Sequence, residues 1–121
     1  MVRMVLCILI AGILTIKGAC AADLKALLTN QKAVESNIGL GCFVEAEGST
    51  PANFKRCKAR QLSAVRNLQF LFQESGPNLD KVMEITNVCA NQRAHINQLI
   101  DFEATLNCSI TRLETWKMLR D

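Results

Sequence analysis

The stretch from Asn78 to Asp121, NLDKVMEITNVCANQRAHINQLIDFEATLNCSITRLETWKMLRD, runs for 44 residues without a glycine or a proline. Along it Leu79, Val82, Met83, Ile85, Cys89, Ile96, Leu99, Ile100, Leu106, Ile110, Leu113 and Trp116 recur mainly at helical spacing, the pattern of an amphipathic α-helix. As one helix the stretch would be roughly 60 Å long, at a rise of about 1.5 Å per residue. The polar runs Asn91-Gln92-Arg93 and Asn107-Cys108-Ser109 are the candidate breaks, and Thr111 with Glu114 offers a capping box after the second. Because neither run contains a turn-forming residue, the expectation is a helix continuous to at least Asn107.

Upstream of this stretch, Ser75-Gly76-Pro77 reads as a helix stop. The helix it ends begins at Thr50-Pro51, a cap residue followed by proline at the first helical position, and extends to about Glu74. Phe54, Cys57, Ala64, Val65, Leu68, Leu71 and Phe72 make its apolar stripe. Residues Gly39 to Thr50 hold Gly39, Gly41, Gly48 and Ser49 and read as the one substantial loop, with Cys42 to Glu47 able to form a short helix. Before the loop, Asp23 caps a predicted helix to Ile38 in which Leu24, Leu27, Leu28, Val34 and Ile38 share a face, and Gly39 sits where a C-terminal cap belongs. No alternating strand pattern competes. The fold class is therefore all-α: a small disulfide-stapled bundle of three or four helices with a long C-terminal helix.

The first 22 residues have a different composition. Arg3 precedes an apolar run from Met4 to Ile16, which is followed by Lys17 and the small residues Gly18-Ala19-Cys20-Ala21-Ala22. That is the layout of a secretory signal peptide, and the run is shorter than the roughly 20 residues a membrane span requires. The expected organisation is a signal peptide over 1–22 and a single helical domain over 23–121, secreted and extracellular. Loss of Arg3 and Lys17 with the signal lowers the formal net charge from +3 to +1. So small a charge gives no warrant for nucleic-acid binding, and no stable membrane insertion is expected once the signal is removed.

Four cysteines remain in the domain, Cys42, Cys57, Cys89 and Cys108, an even number that reads as two disulfides in a small secreted chain. Each bridge is worth about 2 to 4 kcal/mol. Three pairings are open to four cysteines. In a continuous helix Cys89 and Cys108 would stand about 28 Å apart, so that reading favours Cys57–Cys89 with Cys42–Cys108. Without close ligand pairs, and with His95 as the one histidine, the cysteines do not form a zinc pattern.

Catalytic constellations are missing from the inventory. His95 has no flanking motif, and the close carboxylate pairs Glu45/Glu47 and Asp101/Glu103 are two residues apart, so they would not face each other on a helix. Gly39-Leu40-Gly41-Cys42 resembles the calcium loop of secreted phospholipases A2, but the Cys-Cys-x-x-His-Asp helix of those enzymes is absent. No catalytic residue, metal or cofactor is expected.

What stands out is local charge. Lys55, Arg56, Lys58, Arg60 and Arg66 fall on the side of the second predicted helix away from its apolar stripe, and Phe70 projects to the same side. Cations in the first turns of a helix oppose its macrodipole. An acidic protein, an anionic glycan or a phospholipid headgroup would use such a cluster; the alternative is a solvated face partly neutralised by Glu45 and Glu47, with Phe70 covered by a neighbouring element. Asn107-Cys108-Ser109 also fits the N-x-[ST] glycosylation pattern, although a bridged Cys108 would hinder modification of Asn107.

The signal segment, the helical domain, the spacing of Cys42, Cys57, Cys89 and Cys108, and the glycine-free segment from Asn78 to Asp121 together resemble small secreted four-cysteine helical arthropod proteins of the TsetseEP-domain type. The resemblance implies an extracellular protein and transfers no functional residue. The expected function is binding of an extracellular protein or an anionic surface rather than catalysis. The alternatives are a carrier of a small apolar ligand, lined by residues such as Phe54, Leu68, Phe72, Ile96 and Leu99, and a secreted venom or effector-type toxin.

Overall fold

The computed structural model describes residues 23–45, 50–92 and 99–120. Residues 1–22, expected to be a signal peptide, and Glu47, His95 and Ile96 lie outside the described residues. Among the described residues there are five α-helices: α1 (Leu24–Leu28), α2 (Gln31–Glu45), α3 (Pro51–Gln73), α4 (Leu79–Gln92) and α5 (Phe102–Arg120), with a 3-10 turn at Gly76–Asn78 leading into α4. No strand occurs among the described residues. The protein is an all-α, disulfide-bonded bundle with a long C-terminal helix.

α3 follows its sequence signals closely. The Thr50 hydroxyl accepts from the Asn53 N–H at 3.2 Å, and Pro51 opens the helix. At the other end Gly76 takes φ +53°, a conformation that costs glycine little and other residues more. α5 packs against both α3 and α4, α2 packs along α3, and α1 lies over α3 and α4. α4 and α5 are antiparallel, since Gln92 meets Arg112 at 3.0 Å while Asn78 meets Arg120 at 3.5 Å. Leu24, Ile38, Leu68, Cys89, Phe102 and Leu113 are among the buried apolar residues that join the helices in one core.

Four expectations are corrected, three in the helices and one in the disulfides. The first predicted helix is two, because Thr29 and Asn30 turn the chain: the Thr29 hydroxyl donates to the Ala26 carbonyl at 2.7 Å and the Asn30 side chain accepts from the Ala33 N–H at 3.1 Å. Short polar side chains of this kind offer the backbone a local alternative to the helix. The loop expected from Gly39 is instead helical to Glu45. Two glycines cost that helix about 2 kcal/mol relative to alanine, which burial of Ile38 and of Cys42, bonded to Cys57, offsets.

The third correction concerns the glycine-free stretch, which does not run as one helix to Asn107. Leu99 to Asp101 are non-helical, and α5 starts at Phe102. Two side-chain amides from other helices hold this turn. Asn37 donates to the Ile100 carbonyl at 2.8 Å and accepts from the Ile100 N–H at 2.9 Å. Buried Gln61 accepts from the Phe102 N–H at 2.8 Å and donates to Asp101 at 2.9 Å. Asp101 in turn caps α5, its carboxylate accepting from the Ala104 N–H at 3.0 Å. The turn is thus made by tertiary hydrogen bonds where local turn chemistry is lacking. Asn107-Cys108-Ser109 and Thr111 lie inside α5 and break nothing.

With the helix broken, the cysteines pair differently from the expected arrangement. The bridges are Cys42–Cys57 and Cys89–Cys108, with Cα–Cα distances of 5.7 and 5.8 Å. Each joins a pair of antiparallel helices adjacent in the chain, and neither Cys57–Cys89 nor Cys42–Cys108 forms.

Candidate functional site: the cationic face of α3

α3 carries Lys55, Arg56, Lys58, Arg60 and Arg66 and no aspartate or glutamate in its 23 residues. All five cations are exposed, while Cys57, Gln61, Ala64, Val65, Leu68 and Phe72 are buried on the opposite side. The segregation follows from the sequence, in which the apolar positions recur at helical spacing and the charges fill the gaps.

Several of these cations have local partners. Arg60 meets Glu103 at the start of α5 at 3.4 Å, with both side chains well exposed to solvent, so the pair contributes little to stability. Arg56 hydrogen-bonds Asn53 one turn back. Lys58 stands over the half-buried Phe54 ring, 5.4 Å from its centroid. Lys55 and Arg66 have no carboxylate within ion-pair distance among the described residues.

Phe70 is 60% exposed, so no neighbouring element among the described residues covers it. At about 100° per residue it lies within 60° of both Lys55 and Arg66 around the helix, which puts an uncovered aromatic ring on the cationic side.

A second exposed feature sits at the end of α2. Leu40, Phe43 and Val44 are all exposed, Phe43 at 66% and Leu40 at 54%. Their spacing of three and four residues places them on one helical face. Sequence reasoning missed this face because Gly39 and Gly41 assigned the segment to a loop, although the spacing itself was the signal that could have found it. The Cys42–Cys57 bridge holds the turn beside α3. Phe43 follows one bridged cysteine and Lys58 the other, so their Cα atoms lie within roughly 13 Å of each other, given about 3.8 Å between successive Cα atoms.

An open groove of about 470 Å³ runs between α2 and α3, floored by Leu28, Val34, Leu62 and Val65 and edged by Glu35, Arg66 and Gln69. Deeper in the same helix pair, Ile38, Cys42, Cys57, Gln61 and Ile100 close on one another without room for a water. Leu68 and Phe72, expected as the lining of a carrier cavity, belong to the packed core, with Phe54 packed against it.

Asn107 is exposed on α5, but Cys108 is bridged and the Ser109 hydroxyl is buried, donating to the Thr105 carbonyl at 2.7 Å. Glycosylation there would have to precede folding. Among the described residues no group of three His, Cys, Asp or Glu side chains is placed to hold a metal ion, and no helix is long and apolar enough to cross a membrane. Comparison with protein-family models, curated proteins and solved structures finds no match to this chain.

Proposed function

We propose that this is a secreted, extracellular helical protein that acts by binding rather than by catalysis, through the cationic face of α3. The observation that carries the reading is the concentration of five cations on a helix with no carboxylate, with the uncovered Phe70 ring one turn beyond Arg66. The rest of the mature domain is net acidic, so the positive potential is a property of this helix and not of the molecule. Such a surface recruits a partner of opposite charge and sets its orientation. The two disulfides accord with an oxidising, extracellular compartment. A carrier function has less support, because the side chains that would line its cavity are needed for the core.

The test is a pull-down with the disulfide-bonded domain beside a Lys55→Gln/Arg56→Gln/Lys58→Gln/Arg60→Gln variant. An authentic partner is retained by the native protein and its affinity falls about tenfold or more on charge removal, in a salt-sensitive manner. Retention of the partners at unchanged affinity by the variant would remove α3 as the binding face.

A further inference from the structure

We infer that the α2–α3 corner is a peripheral docking surface for an anionic phospholipid bilayer, with Leu40, Phe43 and Val44 as the apolar anchors and the α3 cations as the headgroup contacts. This rests on the proposed binding role of α3 and specifies its partner. A lipid interface asks for two things side by side: exposed apolar side chains that enter the acyl boundary, and lysines or arginines that remain among the headgroups. The Cys42–Cys57 bridge brings the two together, fixing the apolar turn of α2 against the turn of α3 that holds Arg56 and Lys58.

The chemistry favours a membrane over a protein partner. The core of a protein interface is poor in lysine, whereas here Lys55 and Lys58 flank Cys57, which is bonded to Cys42 in the turn that exposes Leu40, Phe43 and Val44. Phe70, four residues beyond Arg66, adds an aromatic contact toward the far end of the same helix. Since no described helix can span a bilayer, the contact is adsorption. Glu45 and Glu47 follow Val44 in sequence and oppose anionic headgroups, so binding should require both the cations and the apolar turn.

Co-sedimentation of the disulfide-bonded domain with vesicles tests this. Vesicles of phosphatidylcholine mixed with phosphatidylserine should retain the protein at low salt, and vesicles of phosphatidylcholine alone should not. Leu40→Ser/Phe43→Ser should weaken retention about tenfold or more, and Lys55→Gln/Lys58→Gln about 30-fold. The altered residues are exposed, so unchanged helical circular dichroism and intact bridges will show that the variants fold. Failure of the native protein to bind the mixed vesicles overturns the inference, as does equal binding by the Leu40→Ser/Phe43→Ser variant. If vesicles fail while charge removal still abolishes capture of a protein, the membrane assignment falls and the α3 binding face stands. If the apolar variant abolishes vesicle binding but charge removal has no effect, both fall. Reversible dimerisation lost on Phe43→Ser, without vesicle binding, would instead assign the patch to a second copy.

Discussion

The α2–α3 and α4–α5 pairs are built alike and finished differently. Each is an antiparallel helix pair closed by one disulfide between chain neighbours, with nearly equal Cα separations. Around Cys89–Cys108 the flanking residues are small and buried: Thr86, Ala90, Thr105 and Ser109 let the two helices pack closely. Around Cys42–Cys57 both cysteines are buried, whereas Cys108 is only partly so, yet the turn of α2 that holds Cys42 exposes Leu40, Phe43 and Val44. One bridge therefore secures an interior seam, and the other secures the underside of a surface. The same covalent device serves packing in one place and presentation in the other.

Removing the bridges one at a time should separate those roles. With the paired cysteines 15 and 19 positions apart in sequence, loop-closure entropy assigns about 3 kcal/mol to either bridge. Cys89→Ala/Cys108→Ala and Cys42→Ala/Cys57→Ala should therefore lose similar stability in urea denaturation. Only the second pair should also weaken vesicle retention, because it alone frees the apolar turn from the cationic helix. Equal loss of binding in both would mean that the two corners do not differ in the way their surfaces indicate.

How far these features were legible in the sequence depends on whether the deciding interaction is local. α3 was readable from end to end, because Thr50, Pro51 and Gly76 act within a few residues of themselves and the stripe of Cys57, Val65, Leu68 and Phe72 repeats at the helical period. The cationic face came with it. The turn before α5 was not readable as such. α4 ends at Gln92, and the non-helical residues ahead of α5 are held by Asn37 and Gln61, 63 and 41 residues from the backbone groups they bind. The disulfide pairing failed for the same reason, since it was inferred from a continuous helix. Asn87 gave no signal either; its side chain accepts from the Leu24 N–H at 2.7 Å, while Gln69 donates to the Leu28 carbonyl at 3.1 Å, so both ends of the five-residue α1 are held from other helices.

Gln61 offers the next sharpest break, because it ties the surface-bearing pair to the seam pair. Replacing it with leucine keeps the apolar bulk and leaves the buried Phe102 N–H without an acceptor. An orphaned buried donor costs about 2 kcal/mol. Urea denaturation of Gln61→Leu should show that loss, and hydrogen exchange should quicken at Phe102 and Ile100 before it quickens within α3. Exchange that rises first in α3 would place the weak point in the wrong pair.

The smallest effects lie in the seam itself, where two buried hydroxyls on α5 differ in one respect. Ser109 donates to the Thr105 carbonyl at 2.7 Å, whereas the Thr105 hydroxyl has no hydrogen-bond partner among the described residues. Both residues are fully buried, so exposure does not distinguish them. A buried hydroxyl without a partner costs more than it returns, and a bonded one is roughly repaid. Thr105→Val preserves shape and removes the orphan, so it should stabilise the domain by about 1 kcal/mol. Ser109→Ala removes a satisfied group and should destabilise by about 0.5 to 1 kcal/mol. The opposite signs are the discriminating outcome, read from the midpoints of urea denaturation at unchanged slope. Destabilisation by both would mean that the Thr105 hydroxyl is bonded in solution, and that the seam between α4 and α5 holds a polar contact where its packing is otherwise dry.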